Sequence, residues 1–155
     1  EKIREQSKKD YEKKKDNPKY KEYKKGWEKE RKRKDPQYRL KSNFGTLIWY
    51  ALKEKGSSKN GYSWEKIVNY TTQELMEHLE NQFIEGMTWN NYGKWHVDHI
   101  KPISSFNFTS YEDDEFQECW ALNNLQPLWA QDNLIKSNKK IKNKRGKKIW
   151  QKKRK

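Results

Sequence analysis

One cysteine, Cys119, stands in a chain of 155 residues, so no intrachain disulfide can form and a reducing compartment is the natural setting. Long apolar runs are missing too. No stretch approaches the roughly 18 residues that a membrane-crossing helix needs, and no signal-peptide pattern is visible, although a start at Glu1 rather than Met leaves room for an upstream segment. A cytoplasmic protein without a membrane partner is the expectation. The apolar content of 31% is low for a chain that is globular throughout, which leaves room for one domain and an appendage.

Charge is abundant, and its distribution says more than its sum of +14. Residues 1–41 carry 18 Lys or Arg against 9 Asp or Glu, residues 42–133 carry 6 against 13, and residues 134–155 carry 12 against none. An acidic centre of −7 is thus bracketed by arms of +9 and +12. Such asymmetry points to a polyanionic partner, because lysines that neutralise phosphates release condensed counterions. Solvated, partly disordered tails are the plainer alternative.

Residues 1–34 read as helical with little to bury, broken at Asn17-Pro18 and again at Asp35-Pro36. Tyr20, Tyr23 and Trp27 share a face otherwise covered in lysine, suited either to packing or to lying along a charged backbone. Arg31, Lys32, Arg33 and Lys34 form a better phosphate-contact cluster, with a solvated face as the alternative. Over residues 38–55, Leu40, Phe44, Leu47, Ile48, Ala51 and Leu52 trace the stripe of a core helix. Residues 56–61 are turn formers and predict a loop. Thr71 and Glu74 make a capping-box pattern; the helix beyond turns Leu75, Met76, Leu79 and Phe83 inward and leaves His78 exposed. Ser110 is expected to cap a helix reaching Trp120, with Glu112, Asp113 and Asp114 at its positive end.

Residues 95–136 carry the most chemistry. Val97 and Ile100, then Leu125, Leu128 and Trp129, lie in short runs that predict two strands, bounded by Gly93, Pro102, Asn123 and Asp132. From Ala130 the spacing turns helical, with Asn133, Lys136 and Lys140 on one face. Two strands and a helix are therefore expected to gather Asp98, His99 and Asn133 around one point. These residue types suit phosphodiester hydrolysis. Asp98 and Asn133 offer hard oxygen ligands to Mg2+ or Mn2+, and two can suffice because Mg2+ keeps several waters and completes its shell with substrate phosphate. His99, with an unperturbed pKa near ~6.5, is the natural base. Oxygen ligation argues against a structural zinc. His96 shares a strand face with Asp98 and either touches the metal shell or phosphate or, the favoured reading, supports the site by hydrogen bonding.

The runs Trp95-His96-Val97-Asp98-His99-Ile100 and Asn124-Leu125-Gln126-Pro127-Leu128-Trp129, with Asn133 nine residues after Asn124, resemble the HNH endonuclease family, most of all its small phage and mobile-intron members. The likeness is strongest over residues 86–139 and weaker over 40–84; residues 1–39 match only in being basic and helical. It implies an α+β fold, a small ββα-metal finger packed with helices and flanked by basic helical or partly disordered arms. By the same resemblance Asp98 is the first metal ligand, His99 the general base and Asn133 the second ligand. Asn124 braces the loop and orients the base, and Lys136 faces the substrate phosphate. Asn123 and Asn138 occupy no family position. Many members hold a structural zinc through two Cys-x-x-Cys pairs; with Cys119 alone, this chain is expected to replace zinc by packing Trp89, Trp95, Trp120 and Trp129.

The expected organisation is a basic arm at 1–39, an endonuclease domain at 40–138 with its ββα core at 94–138, and a basic tail at 139–155. The expected partner is DNA, double-stranded, with Lys101, Lys139 and Lys140 adding backbone contacts to those of the Arg31 cluster. A non-catalytic DNA-binding module that retains the scaffold is the rival, against which the intact Asp98, His99 and Asn133 weigh. A ribonuclease is a third reading, because the same water attack serves either backbone.

Overall fold

Prolines set the first boundaries. The computed structural model describes residues 2–137, so the expectations at Asn138, Lys139, Lys140 and the tail 139–155 lie outside the described residues. Helix α1 (Lys2–Lys14) gives way to α2 (Pro18–Lys34), where the Asn17 side chain accepts from the backbone N–H of Lys19 and Tyr20 and Pro18 takes the first helical position, at which a missing N–H is harmless. Pro36 likewise opens α3 (Pro36–Glu54). The chain divides into two units, Glu1–Arg39 and Leu40–Lys155.

In the first unit α2 buries no residue, and Tyr23 and Trp27 are exposed. Three cations of its Arg31–Lys34 cluster are engaged locally. The Arg31 guanidinium lies over the rings of Trp27 and Tyr38, while Arg33 and Lys34 pair with Glu30.

The second unit is a mixed helical fold with one two-stranded antiparallel sheet, a small α+β arrangement. Leu40, Phe44, Ile48, Ala51 and Leu52 form the buried stripe of α3, but Leu47 is exposed, because it falls at the rim of that stripe. Helix α4 (Trp64–Val68) is followed by α5 (Thr72–Glu80), whose capping box between Thr71 and Glu74 is complete and whose Leu75 and Leu79 are buried. His78 departs from expectation. It is half-buried, and its Nε2 lies 3.0 Å from the carbonyl oxygen of Leu125, so α5 reaches a strand through it.

Strand β1 (Trp95–His99) and strand β2 (Leu125–Trp129) are joined by a connection that holds helix α6 (Asp114–Trp120). Asp113, not Ser110, stands before the helix. Its carboxylate accepts from the backbone N–H of Thr109 and Ser110, and Glu115 accepts from that of Asn107, so these acids close the loop instead of only opening a helix. Helix α7 (Ala130–Lys136) follows β2 without a break and packs on both strands. Trp95 and Trp120 are fully buried, and Trp89 and Trp129 pack against the core that they share with Phe44, Phe108 and Phe116. Among the described residues no helix is long and apolar enough to cross a membrane.

Candidate active site at the end of the sheet

The antiparallel register pairs Trp95 with Trp129, Val97 with Pro127, Asp98 with Gln126 and His99 with Leu125. A proline is tolerated in β2 because each strand of a two-stranded sheet is an edge. Successive side chains leave a strand on opposite faces, so His96 and Asp98 share one face and His99 points to the other.

The face of His96 and Asp98 meets α7. Asn133 Nδ2 lies 3.3 Å from His96 Nδ1, and one helical turn later Lys136 Nζ lies 2.5 Å from Asp98 Oδ2. Lys136 also donates to the carbonyl oxygen of His99. Both Asp98 and Lys136 are buried. Gln126, directly across the sheet, donates through Nε2 to the same Asp98 oxygen at 2.8 Å. The described bonds therefore join Asp98 to Lys136 and Gln126, and Asn133 to His96, rather than Asp98 to Asn133.

The resemblance sets Lys136 towards the substrate phosphate; here it is one of the few buried charged residues among those described. Its place three residues after Asn133 turns it to the strand side of α7, where it meets the Asp98 carboxylate.

His99 occupies a different environment. Its ring stands edge-on to Trp120, with centroids 4.6 Å apart, and Nε2 is buried with no hydrogen-bond partner among the described residues. Burial first, and the Lys136 ammonium second, push its pKa down to about 4, so the imidazole is neutral at physiological pH.

Asn124 secures the strand ends. Its backbone oxygen accepts from Ile100 N at 2.7 Å, its side-chain oxygen from Lys101 N at 2.8 Å, and its amide nitrogen donates to the carbonyls of Cys119 and Lys101. The residues just after His99 are thereby stapled to the start of β2. Lys101 itself lies against its own unit, bonded to Glu118 at 3.1 Å and 3.8 Å from the Phe106 ring centroid. The Cys119 thiol is pushed up to about 12, chiefly by burial, and stays protonated.

Gln126 was not anticipated. Its signal lay in the register, since Trp95 opposite Trp129 sets it against Asp98. Among the described residues no group of three or more His, Cys, Asp or Glu is placed to hold a metal.

No protein-family model matches the chain, and no solved structure matches it. It is similar to two uncharacterized proteins of Acanthamoeba polyphaga mimivirus. One is 32% identical over 112 residues, covering 65% of this chain and 48% of the relative; the other is 27% identical over 105 residues, covering 67% and 44%. The chain spans just under half the length of the curated relatives it matches.

Proposed function

We propose that residues 95–136 form a ββα-metal finger of the HNH type and that the protein is a metal-dependent DNA endonuclease. The observation that carries this reading is a buried Asp98 paired through α7 with Lys136, one turn from Asn133, with a buried His99 next to Asp98 on the opposite face of β1. Such a cluster is a poor source of stability and a good source of reactivity.

The donor set fits a hard divalent cation. Both bonds to Asp98 fall on Oδ2, which leaves Oδ1 for a ligand, and the Asn133 nitrogen faces His96, which leaves its oxygen. Mg2+ or Mn2+, when bound there, would offset charge on the phosphate and the leaving oxygen. The protein's own residues do the rest. His99 takes the proton from water, Asn124 keeps the strand end in place, Gln126 and His96 orient Asp98 and Asn133, and Lys136 neutralises Asp98 and stands ready for the phosphate. The cation-rich first unit supplies backbone affinity for DNA.

Supercoiled-plasmid cleavage tests the reading. Wild type is expected to nick or linearise plasmid with Mg2+ or Mn2+ and not with EDTA, whereas His99→Ala loses cleavage and keeps its gel-shift affinity. Undiminished cutting by His99→Ala would sink the assignment of the base, and metal-independent binding without cutting would favour the rival scaffold.

A further inference from the structure

We propose that the outer face of α3 in the second unit carries a groove for an unpaired nucleobase of single-stranded DNA, with lysines at its rim to hold the adjoining phosphate. The proposal rests on the nucleic-acid reading above and concerns a site with different residues.

Gly45 shapes the groove. A glycine inside a helix is destabilising relative to alanine, and here it has a reason: a Cβ would come 2.9 Å from Trp64 Cδ1. The indole of Trp64 therefore lies against bare helix. It is fixed by its Nε1, which donates to the Lys41 carbonyl at 3.0 Å, and by edge contact with Phe44. Between Trp64 and Trp49 the surface sinks into a hollow of about 350 Å³, within the range of small-ligand sites.

Two properties choose the occupant. Trp49 is 40% exposed and Tyr50 54%, their rings edge-on at 4.8 Å and inclined at 72°, so a part-open aromatic corner stands at the surface. Cations surround it: Lys53 Nζ lies 4.7 Å from the Trp49 ring centroid, and Lys41 and Lys59 line the hollow. Lys41 shares its charge with Glu65, so Lys53 and Lys59 carry most of the anion attraction. Residues 42–133 hold only 6 Lys or Arg against 13 acids, and two of those six gather at this groove. A flat ring for the indole joined to a phosphate for the lysines satisfies both; a duplex keeps its bases stacked inside and offers only the phosphate. The hydroxyls of Ser42 and Thr46 add polar lining.

The test is fluorescence anisotropy of the full chain, in EDTA, with labelled oligothymidylate and with a duplex of equal length. Trp49 is exposed, so Trp49→Ala should fold. It is expected to lose about tenfold in affinity for the single strand and to bind duplex as wild type does, while Trp49→Phe keeps most of the affinity. Equal binding of the single strand by wild type and Trp49→Ala overturns the groove, and if both still cut plasmid the nuclease reading survives. Trp49-dependent single-strand binding without any cutting keeps the groove and removes the nuclease. Effective competition by an equal amount of thymidine monophosphate would assign the hollow to a free nucleotide and overturn the strand assignment.

Discussion

Three lysine–carboxylate contacts sit in very different surroundings. Lys136 lies 2.5 Å from Asp98, with side chains 3% and 8% exposed; Lys41 lies 2.5 Å from Glu65, with 50% and 23%; Lys34 lies 3.1 Å from Glu30, with 67% and 50%. Distance does not separate the first two, and burial does. An exposed pair contributes about 0–1 kcal/mol because water and salt screen it. A pair shut away from water loses several kcal/mol per ion to desolvation, and its mutual attraction offsets that only with good geometry. The buried pair is therefore the one whose presence stability explains least, and it is the one beside a histidine held neutral.

Removing Lys136 should have the largest effect. Lys136→Ala leaves a buried carboxylate with Gln126 as its remaining partner, and the expected loss in urea unfolding is about 3–5 kcal/mol. Asp98→Asn combined with Lys136→Met removes both charges and keeps an acceptor for Gln126. Most of the loss should return, while cleavage does not. A double variant no more stable than the single one would place this pair among ordinary structural ion pairs.

Glu65 should stand in the middle. One of its oxygens takes the Lys41 ammonium; the other accepts from the backbone N–H and hydroxyl of Thr72, the first residue of α5. Glu65→Ala thus frees a helix-start N–H and is expected to cost about 2 kcal/mol. Burial alone would raise the Glu65 pKa, but the bonds from Lys41 and Thr72 outweigh it and hold the carboxyl below its ordinary 4.5. With the folded value depressed, the stability it confers is present above pH 4.5 and is lost as pH falls through the folded value. Acid unfolding of Glu65→Ala should lack that component; an unchanged acid limb would break the ranking by burial.

The order of two strands and a helix at residues 95–136 is legible because short apolar runs between turn formers leave few alternatives, and the register then sets Asp98 against Gln126. Partners are harder to read. Strand alternation separates Asp98 from His99, and only the packed position of α7 shows that Lys136, a residue type usually exposed, turns inward. His78 escapes the helical pattern for a similar reason: its partner, Leu125 O, lies 47 residues away in sequence. Asp113 and Glu115 bind loop amides whose closure no local pattern announces. Local spacing identified the elements, whereas the bonds across them depend on tertiary packing.

Glu30 should show the smallest effect and is the control for the comparison. Hydrogen bonds from Arg33 first and Lys34 second hold its carboxyl down to about 2, a larger shift than exposure would lead one to expect. The sign is the same as for Glu65, so any stability it confers is present above pH 4.5 and lost as pH falls towards 2. Solvent surrounds the group, however, and screening should erase most of that contribution. Glu30→Gln is expected to leave the unfolding midpoint at neutral pH unchanged, and the Glu30 carboxylate, followed by NMR, should titrate closer to 4.5 as salt is raised to about 1 M. Should Glu30→Gln destabilise the protein as much as Glu65→Ala, local hydrogen bonding rather than burial would be what ranks these pairs, and the special standing given to Lys136 and Asp98 would have to rest on their chemistry alone.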